Sequence, residues 1–360
     1  MDTFIPPHCP NPKCEHHCPT VGWRFRPFGF FTRKHCLPTR ILRYRCLHCL
    51  RTFSTQTFQT HYWLHKPHLQ PIIFQRIQGC SGLRQIALEH EVSPSTVQLH
   101  LSRLGRHSLI FQHRNRPEIK EPLVLDGMET FEYSQYFPFH FNILVGKHSH
   151  FFHLFTDSPL RRKGSMREDQ KRRRIKLEER LGRPDPKAIE IGVAEVLRLA
   201  LPKEASVTLH SDEHPAYPKA FKRLPGLKIE HVMTPSKEAR RPQNPLFPVN
   251  LLDLLIRHNG SNHKRETIAF SKRRQGAIER LAAMQVWRNF MRPFSVRKQG
   301  PTPAQRVGAV SSKLTVTQLL IKRLFVTHAN LPGTLAGYYW REVKTRALRV
   351  NRSHRLKYAF

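Results

Sequence analysis

Three aspartates carry the strongest chemical signal in the sequence. Asp126 closes the apolar run LVLD and is followed by Gly127. Asp212 closes SVTLHSD and leads into Glu213-His214-Pro215, a turn into a helix. Asp253 interrupts the leucine-rich segment Val249-Asn-Leu-Leu-Asp-Leu-Leu-Ile-Arg257. Carboxylates converging from separate elements hold hard cations such as Mg²⁺ (or Mn²⁺) through oxygen. Two such ions about 3.5–4 Å apart activate an attacking oxygen and stabilise a leaving one in phosphoryl transfer. One Asp after an apolar strand is ordinarily a cap or turn residue; two in one domain point to a shared site. An acid among leucines needs a partner or a metal, which favours Asp253 as the third member. The alternative third acid is Glu279, on Ala277-Ile-Glu-Arg280, an amphipathic helix where a solvated Glu needs no explanation.

The cysteines form a second constellation. Six of the seven fall at Cys9, Cys14, Cys18, Cys36, Cys46 and Cys49, and the last is Cys80. An odd count without an evident secretory signal argues for metal ligation rather than a disulfide framework. Cys9-Pro-Asn-Pro-Lys-Cys14 and Cys46-Leu-His-Cys49 each place two thiolates on one knuckle, and two knuckles complete a tetrahedral site for structural Zn²⁺. The context RYRCLHCLRTFS, with aromatic and basic residues around the pair, suits a zinc ribbon. His16, His17, Cys18, His35 and Cys36 could substitute as ligands.

A third signal lies between these two. Leu83, Ile86, Ala87 and Leu88 are spaced as one face of a helix, Val92-Ser-Pro makes a short turn, and Val97, Leu101 and Leu104 continue at helical spacing. Ser93 or Ser95 can cap the second helix, with Pro94 in its first turn. Such a helix-turn-helix places its second helix in the DNA major groove. Ser95, Thr96, Gln98, His100, Ser102 and Arg103 have exposed spacing there and can reach bases or phosphates. Arg265 and the run Lys272, Arg273, Arg274 follow the third acid and are placed to meet phosphate. Trp287 and Phe290 read as core residues.

The elements that must position these groups are legible as patterns. EPLVLDGMETFEY, FPFHFNILVGK and SHFFHLFTDSPL read as three strands, the last two a hairpin turning at Gly146-Lys147-His148. A charged run at residues 160–186 reads as a solvated helix or lid. After it come a helix (AIEIGVAEVLRLAL), a strand (SVTLHSD), a short helix after Pro215, a strand (KIEHVMT), a basic loop, and helices at VNLLDLLIRH and SKRRQGAIERLAAMQVWRNFM. This order is α/β, and the early hairpin makes the sheet mixed. The expected division is 1–57 zinc ribbon, 58–115 helix-turn-helix domain, 116–298 α/β domain with its charged insertion, and 299–360 basic extension.

Charge bounds the partners. The 360 residues carry 61 Lys and Arg against 26 Asp and Glu, a formal net charge of +35, while hydrophobic residues make up 39%. Such an excess repels itself unless a polyanion neutralises it, and nucleic acid is the commonest one. No stretch approaches the roughly 18 apolar residues of a spanning helix, and the beginning lacks a secretory pattern. The expectation is a cytoplasmic, nucleoid-associated DNA partner with no membrane association.

Taken in order, the cysteine pairs with RYRCLHCLRTFS, the helix-turn-helix, LVLDGMETFE, LHSDEHPAY, PVNLLDLLIR, RETIAFSKRR and VWRNFMRP resemble a zinc-ribbon DDE-type insertion-sequence transposase across nearly the whole chain. The resemblance implies a ribonuclease H-like catalytic domain. It places the first acid on the first strand (Asp126), the second after the fourth strand (Asp212), and the third on a helix three residues after an Asn, matching Asn250 and Asp253. The third acid of that family is usually Glu, and here the slot holds Asp. The implied function is metal-dependent cleavage at the ends of an insertion element and strand transfer into target DNA, with copies assembled on DNA. Two rival readings stand beside it: a non-catalytic DNA-binding regulator derived from such an element, and a metal-dependent nuclease that cuts without joining.

Overall fold

The computed structural model describes residues 4–18, 20–33, 38–295, 297 and 299–349. His35 and Cys36 lie outside this set. Among the described residues the chain forms eight strands and eleven α-helices, and those between residues 123 and 286 follow the order expected from the patterns. The amino-terminal sheet is antiparallel, β1 (Phe25–Thr32), β2 (Arg40–Cys46) and β3 (Thr52–Ser54), with β2 in the middle. Its small core is aromatic. Tyr44 stacks on Phe53 at 5.6 Å, and Phe58 and Phe325 close it from below. Phe325 comes from the far end of the chain, so the C-terminal segment is part of this core.

Three helices follow: α1 (Leu69–Gln78), α2 (Leu83–Glu89) and α3 (Pro94–Asn115). The turn between α2 and α3 ends at Ser93, whose hydroxyl accepts the backbone N–H of Thr96 at 3.2 Å and caps α3 with Pro94 in its first turn. The 22 residues of α3 extend well beyond the helix-turn-helix pattern. The extra length packs on α8 (Arg274–Val286), and the two helices cross so closely that a Cβ on Gly105 would stand 2.6 Å from the backbone of Glu279. Leu69, Ile73, Ile86, Val97 and Leu101 therefore share one core with Phe151, Val286 and Phe290 instead of closing a core of their own.

The main sheet is mixed α/β, with five strands in the order β6-β5-β4-β7-β8. β4 (Leu123–Phe131), β5 (Pro138–Gly146) and β6 (Phe152–Pro159) form an antiparallel meander. β7 (Ser206–Ser211) then returns parallel to β4, and β8 (Lys228–Met233) parallel to β7. A parallel neighbour requires a crossover. Here α4 (Glu168–Leu181), with no buried residue, and α5 (Ala188–Ala200), whose Val193, Val196 and Leu197 are buried, supply it. The charged run is thus a solvated helix, as its composition requires. β5 is buried along its whole length because α5 covers one face and α7 (Phe247–Asn259) the other. The remaining helices are α6 (Ala216–Phe221), α9 (Pro303–Arg306), α10 (Val316–Leu320) and α11 (Gly333–Trp340).

Glu279 does not have the solvated position that its helix pattern suggests. It is completely buried, paired with Arg341 Nε at 2.7 Å and accepting the Ser102 hydroxyl at 3.0 Å. Burial raises its pKa against the pull of Arg341 and Arg106. Removing one partner of a buried pair strands the other charge, at a cost of about 3–5 kcal/mol. Glu279→Ala should therefore lower the urea midpoint sharply; an unchanged midpoint would show that the carboxylate is not what holds Arg341.

Candidate functional site

Asp126 lies within β4 and Asp212 directly after β7. The two strands are parallel neighbours with Leu123 opposite Leu209 and Val124 opposite His210, and the same register carried two residues on sets Asp126 opposite Asp212. Side chains of opposed residues on adjacent strands share a face. α7 packs on β4 and β5 and brings Asp253 over that face. The result is one electrostatic neighbourhood. Burial and then Asp212 push the Asp126 carboxyl up to about 6, against a hydrogen bond from the Gly127 N–H at 2.6 Å. Burial and then Asp126 raise Asp253 well above the usual carboxylate range, and its Oδ1 is buried with no hydrogen-bond partner among the described residues. Asp212 Oδ1 accepts the His214 N–H at 3.0 Å. Beneath all three lies Tyr217, buried and pushed far above its usual pKa by burial and by the three carboxylates.

These acids fit a divalent cation by their chemistry. They are all oxygen donors, one oxygen is buried and unsatisfied, and the carboxylates are gathered where a bound cation would let them ionise. They are more widely spread than the cysteines: among the described residues, the groups with every ligand atom within 4.8 Å of the others are the four cysteines, His8 with His17 and His328, and Glu15 with His16 and His48. Glu279 belongs to the α3–α8 contact and is not part of this site.

Residues that the sequence analysis did not single out complete the surroundings. The His140 ring lies over Gly127, where a Cβ would stand 1.4 Å from its Nε2, so only glycine fits there. Burial lowers His140 to about 4, so it is neutral at physiological pH. His214 also faces Asp212. Arg240, in the basic loop before α7, acts on both Asp126 and Asp253, and Arg257 acts on Asp253 with Arg265 beside it. A histidine inside the largely apolar FPFHFNILV was the available signal for His140.

The expected nucleic-acid residues divide. Ser95, Thr96 and Gln98 at the start of α3 line one groove of about 640 Å³ with Lys272, Arg273, Arg280 and Arg341 on its other wall. His100 and Ser102 are buried, a correction to the exposed spacing expected for them: α8 and its neighbours cover a second face of α3. Arg103 does not line the groove. Its guanidinium is half-buried near Arg106, Arg323, Tyr62 and Tyr339, and burial, then Arg106, lower it to about 10.

The four thiols expected to bind metal do converge. Cys9, Cys14, Cys46 and Cys49 have all their sulfurs within 4.8 Å of one another, Cys9 Sγ and Cys49 Sγ at 3.6 Å, and the Trp23 indole N–H points at Cys46 Sγ at 3.3 Å. A tetrahedral zinc with bonds of about 2.3 Å sets sulfurs roughly 3.8 Å apart, so the cluster fits a structural metal such as zinc. Cys46 is favoured as a thiolate. Burial opposes its ionisation, but hydrogen bonds from the Cys49 backbone and Trp23 hold it to about 7. Cys18 is exposed and apart from the cluster.

No protein-family model and no curated protein matches the chain. Among solved structures it is similar to a chain of the simian T-cell lymphotropic virus intasome in complex with PP2A regulatory subunit B56 gamma. The identity is 13%, over 68% of this chain and 74% of that one, and the TM-score is 0.25. At that score the two chains do not superpose as wholes, and the site is read from its own geometry. No helix among the described residues is long and apolar enough to cross a membrane.

Two outcomes test these sites directly. Cys46→Ser should remove one equivalent of zinc together with the order of the amino-terminal sheet; retention of that equivalent would contradict the thiol assignment. A carboxyl raised to about 6 is protonated in the folded state between its unfolded value near 3.8 and that point. The carboxylates therefore destabilise the ion-free protein above about pH 6, and that penalty fades as pH falls. Mg²⁺ should raise the Tm at pH 8, have little effect at pH 5, and lose its effect in Asp253→Asn.

Proposed function

We propose that the chain is a DNA transposase, cutting the ends of an insertion element and joining them to target DNA, with a ribonuclease H-like catalytic domain built on the mixed sheet. The observation that carries this reading is the gathering of Asp126, Asp212 and Asp253 from two adjacent parallel strands and a helix laid across them. These are the first and fourth strands of the domain, as the resemblance requires. The net charge of +35 suits a polyanionic partner.

Asp126, Asp212 and Asp253 would hold Mg²⁺ (or Mn²⁺), which when bound supplies the charge that activates an attacking oxygen and stabilises a leaving one. Neutral His140 packs on Gly127, the residue next to Asp126. Arg240 and Arg257 bring positive charge beside the acids, where a scissile phosphate would sit, and Arg265 extends it outward. The groove between α3 and the Lys272–Arg273 wall would seat the DNA of the element end, with Ser95, Thr96 and Gln98 toward its bases. Arg103, half-buried elsewhere, is left out of that contact.

The test is cleavage and strand transfer on the DNA that flanks the chain's own gene. The wild-type chain should cut and join with Mg²⁺. Asp253→Ala should abolish both while binding DNA as well or slightly better, since a negative charge near phosphate is gone. Binding without any metal-dependent cutting would favour the regulator, and cutting without joining the nuclease. Binding should also weaken with salt by about 0.9 in log K per log salt for each neutralised phosphate, and Lys272→Ala should reduce that slope by roughly one contact.

A further inference from the structure

Beside the four-cysteine cluster, three histidines from opposite ends of the chain meet. We infer that His8, His17 and His328 form a second metal site, for a divalent ion of the zinc type, that clasps the C-terminal segment to the amino-terminal sheet. Each ring offers a nitrogen within 4.8 Å of the other two, and the His328 ring centroid stands 4.4 Å from both partners. His8 and His17 are buried.

The hydrogen bonds select the tautomers. His8 Nδ1 and His17 Nδ1 both meet the carbonyl oxygen of Cys9, at 3.0 and 2.7 Å. A carbonyl only accepts, so each Nδ1 carries the proton and each Nε2 presents a lone pair. A ring nitrogen of His328 leans on the backbone carbonyl of His17, while its Nε2 is buried with no hydrogen-bond partner among the described residues. Imidazoles that donate one N–H to a backbone carbonyl and aim the other nitrogen inward have the support typical of metal ligands. Without an ion, a buried lone pair is left unsatisfied among other lone pairs, which a folded interior disfavours.

The donor type sets the ion. Imidazole nitrogen suits zinc and its first-row neighbours rather than magnesium or calcium. Zinc–nitrogen bonds of about 2.0–2.1 Å require nitrogens roughly 3.3 Å apart, a short rotation from rings already this close. The Thr327 hydroxyl donates to His17 Nε2 at 2.6 Å and has to turn away when an ion takes that lone pair, and the rings of Phe58 and Phe325 pack against His8. The two sites lean on one peptide unit: Cys9 gives its sulfur to the thiol cluster and its carbonyl to two of the histidines. His328 follows Phe325, which already fills the amino-terminal core, so an ion here fixes residues at opposite ends of the chain.

Elemental analysis of the full chain purified without chelator tests the proposal. Two zinc ions per chain are expected, falling to one in His328→Ala. Refilling with Co²⁺ separates the sites, because only the thiolate site gives sulfur-to-cobalt charge-transfer absorbance. That band should persist in His328→Ala and vanish in Cys46→Ser. One metal in the wild type that carries the charge-transfer band, or two zincs in His328→Ala, would overturn the proposal. The wild-type count with its cobalt spectrum decides the question even if the variant does not fold, and failure of the thiol site alone shows as a missing charge-transfer band.

Discussion

Three carboxylates share one buried neighbourhood in which burial, and then one another, keep them from ionising freely, and the main sheet holds them there. Asp126 and Asp212 are fixed by the parallel pairing of β4 and β7, whose Leu123, Val124 and Leu209 are wholly buried. Asp253 is fixed by α7, which buries Val249, Leu252 and Ile256 against the same sheet. Apolar burial of this kind contributes roughly 1.5–3 kcal/mol per side chain, enough together to hold a strained cluster of charge. The strain is visible as carboxyls that resist ionising and as the unsatisfied Asp253 Oδ1. Sites that keep such a cost ordinarily use it.

A second buried network ties the sheet to the C-terminal segment. Arg274, at the start of α8, bonds Glu132 at 2.7 Å beyond the end of β4 and Asp157 at 3.0 Å on β6. Tyr338 and Thr345 from the last segment complete the acceptors' shells. With Arg341 on Glu279 and Phe325 in the amino-terminal core, the basic extension is a strap over three parts of the molecule. Within it Arg341 is spent on an internal acid and Arg306 and Arg323 on aromatic rings.

Much of this was legible in the sequence, for physical reasons. Strand alternation and the Gly after Asp126, the turn signal after Asp212, and an acid among leucines at Asp253 singled out three residues that share one electrostatic neighbourhood. The cysteine pairs were legible because their spacing is local. What period alone could not give was how many faces a helix covers. His100, Ser102 and Arg103 looked exposed on a helix with one apolar stripe, but α8 and the C-terminal strap cover more of α3 than that stripe. Glu279 looked solvated because its partner Arg341 is remote in the chain. The same remoteness hid His328, whose meeting with His8 and His17 depends on a chain path that no local pattern encodes.

The most direct measurement is crystallography of the full chain soaked with Mn²⁺, using anomalous scattering to locate the ions. The account predicts manganese between Asp126, Asp212 and Asp253, with oxygen from all three in its coordination shell and Asp253 Oδ1 no longer unsatisfied. Manganese absent from that cleft, or bound only at exposed glutamates, would contradict the claim that the sheet exists to hold these carboxylates for a cation.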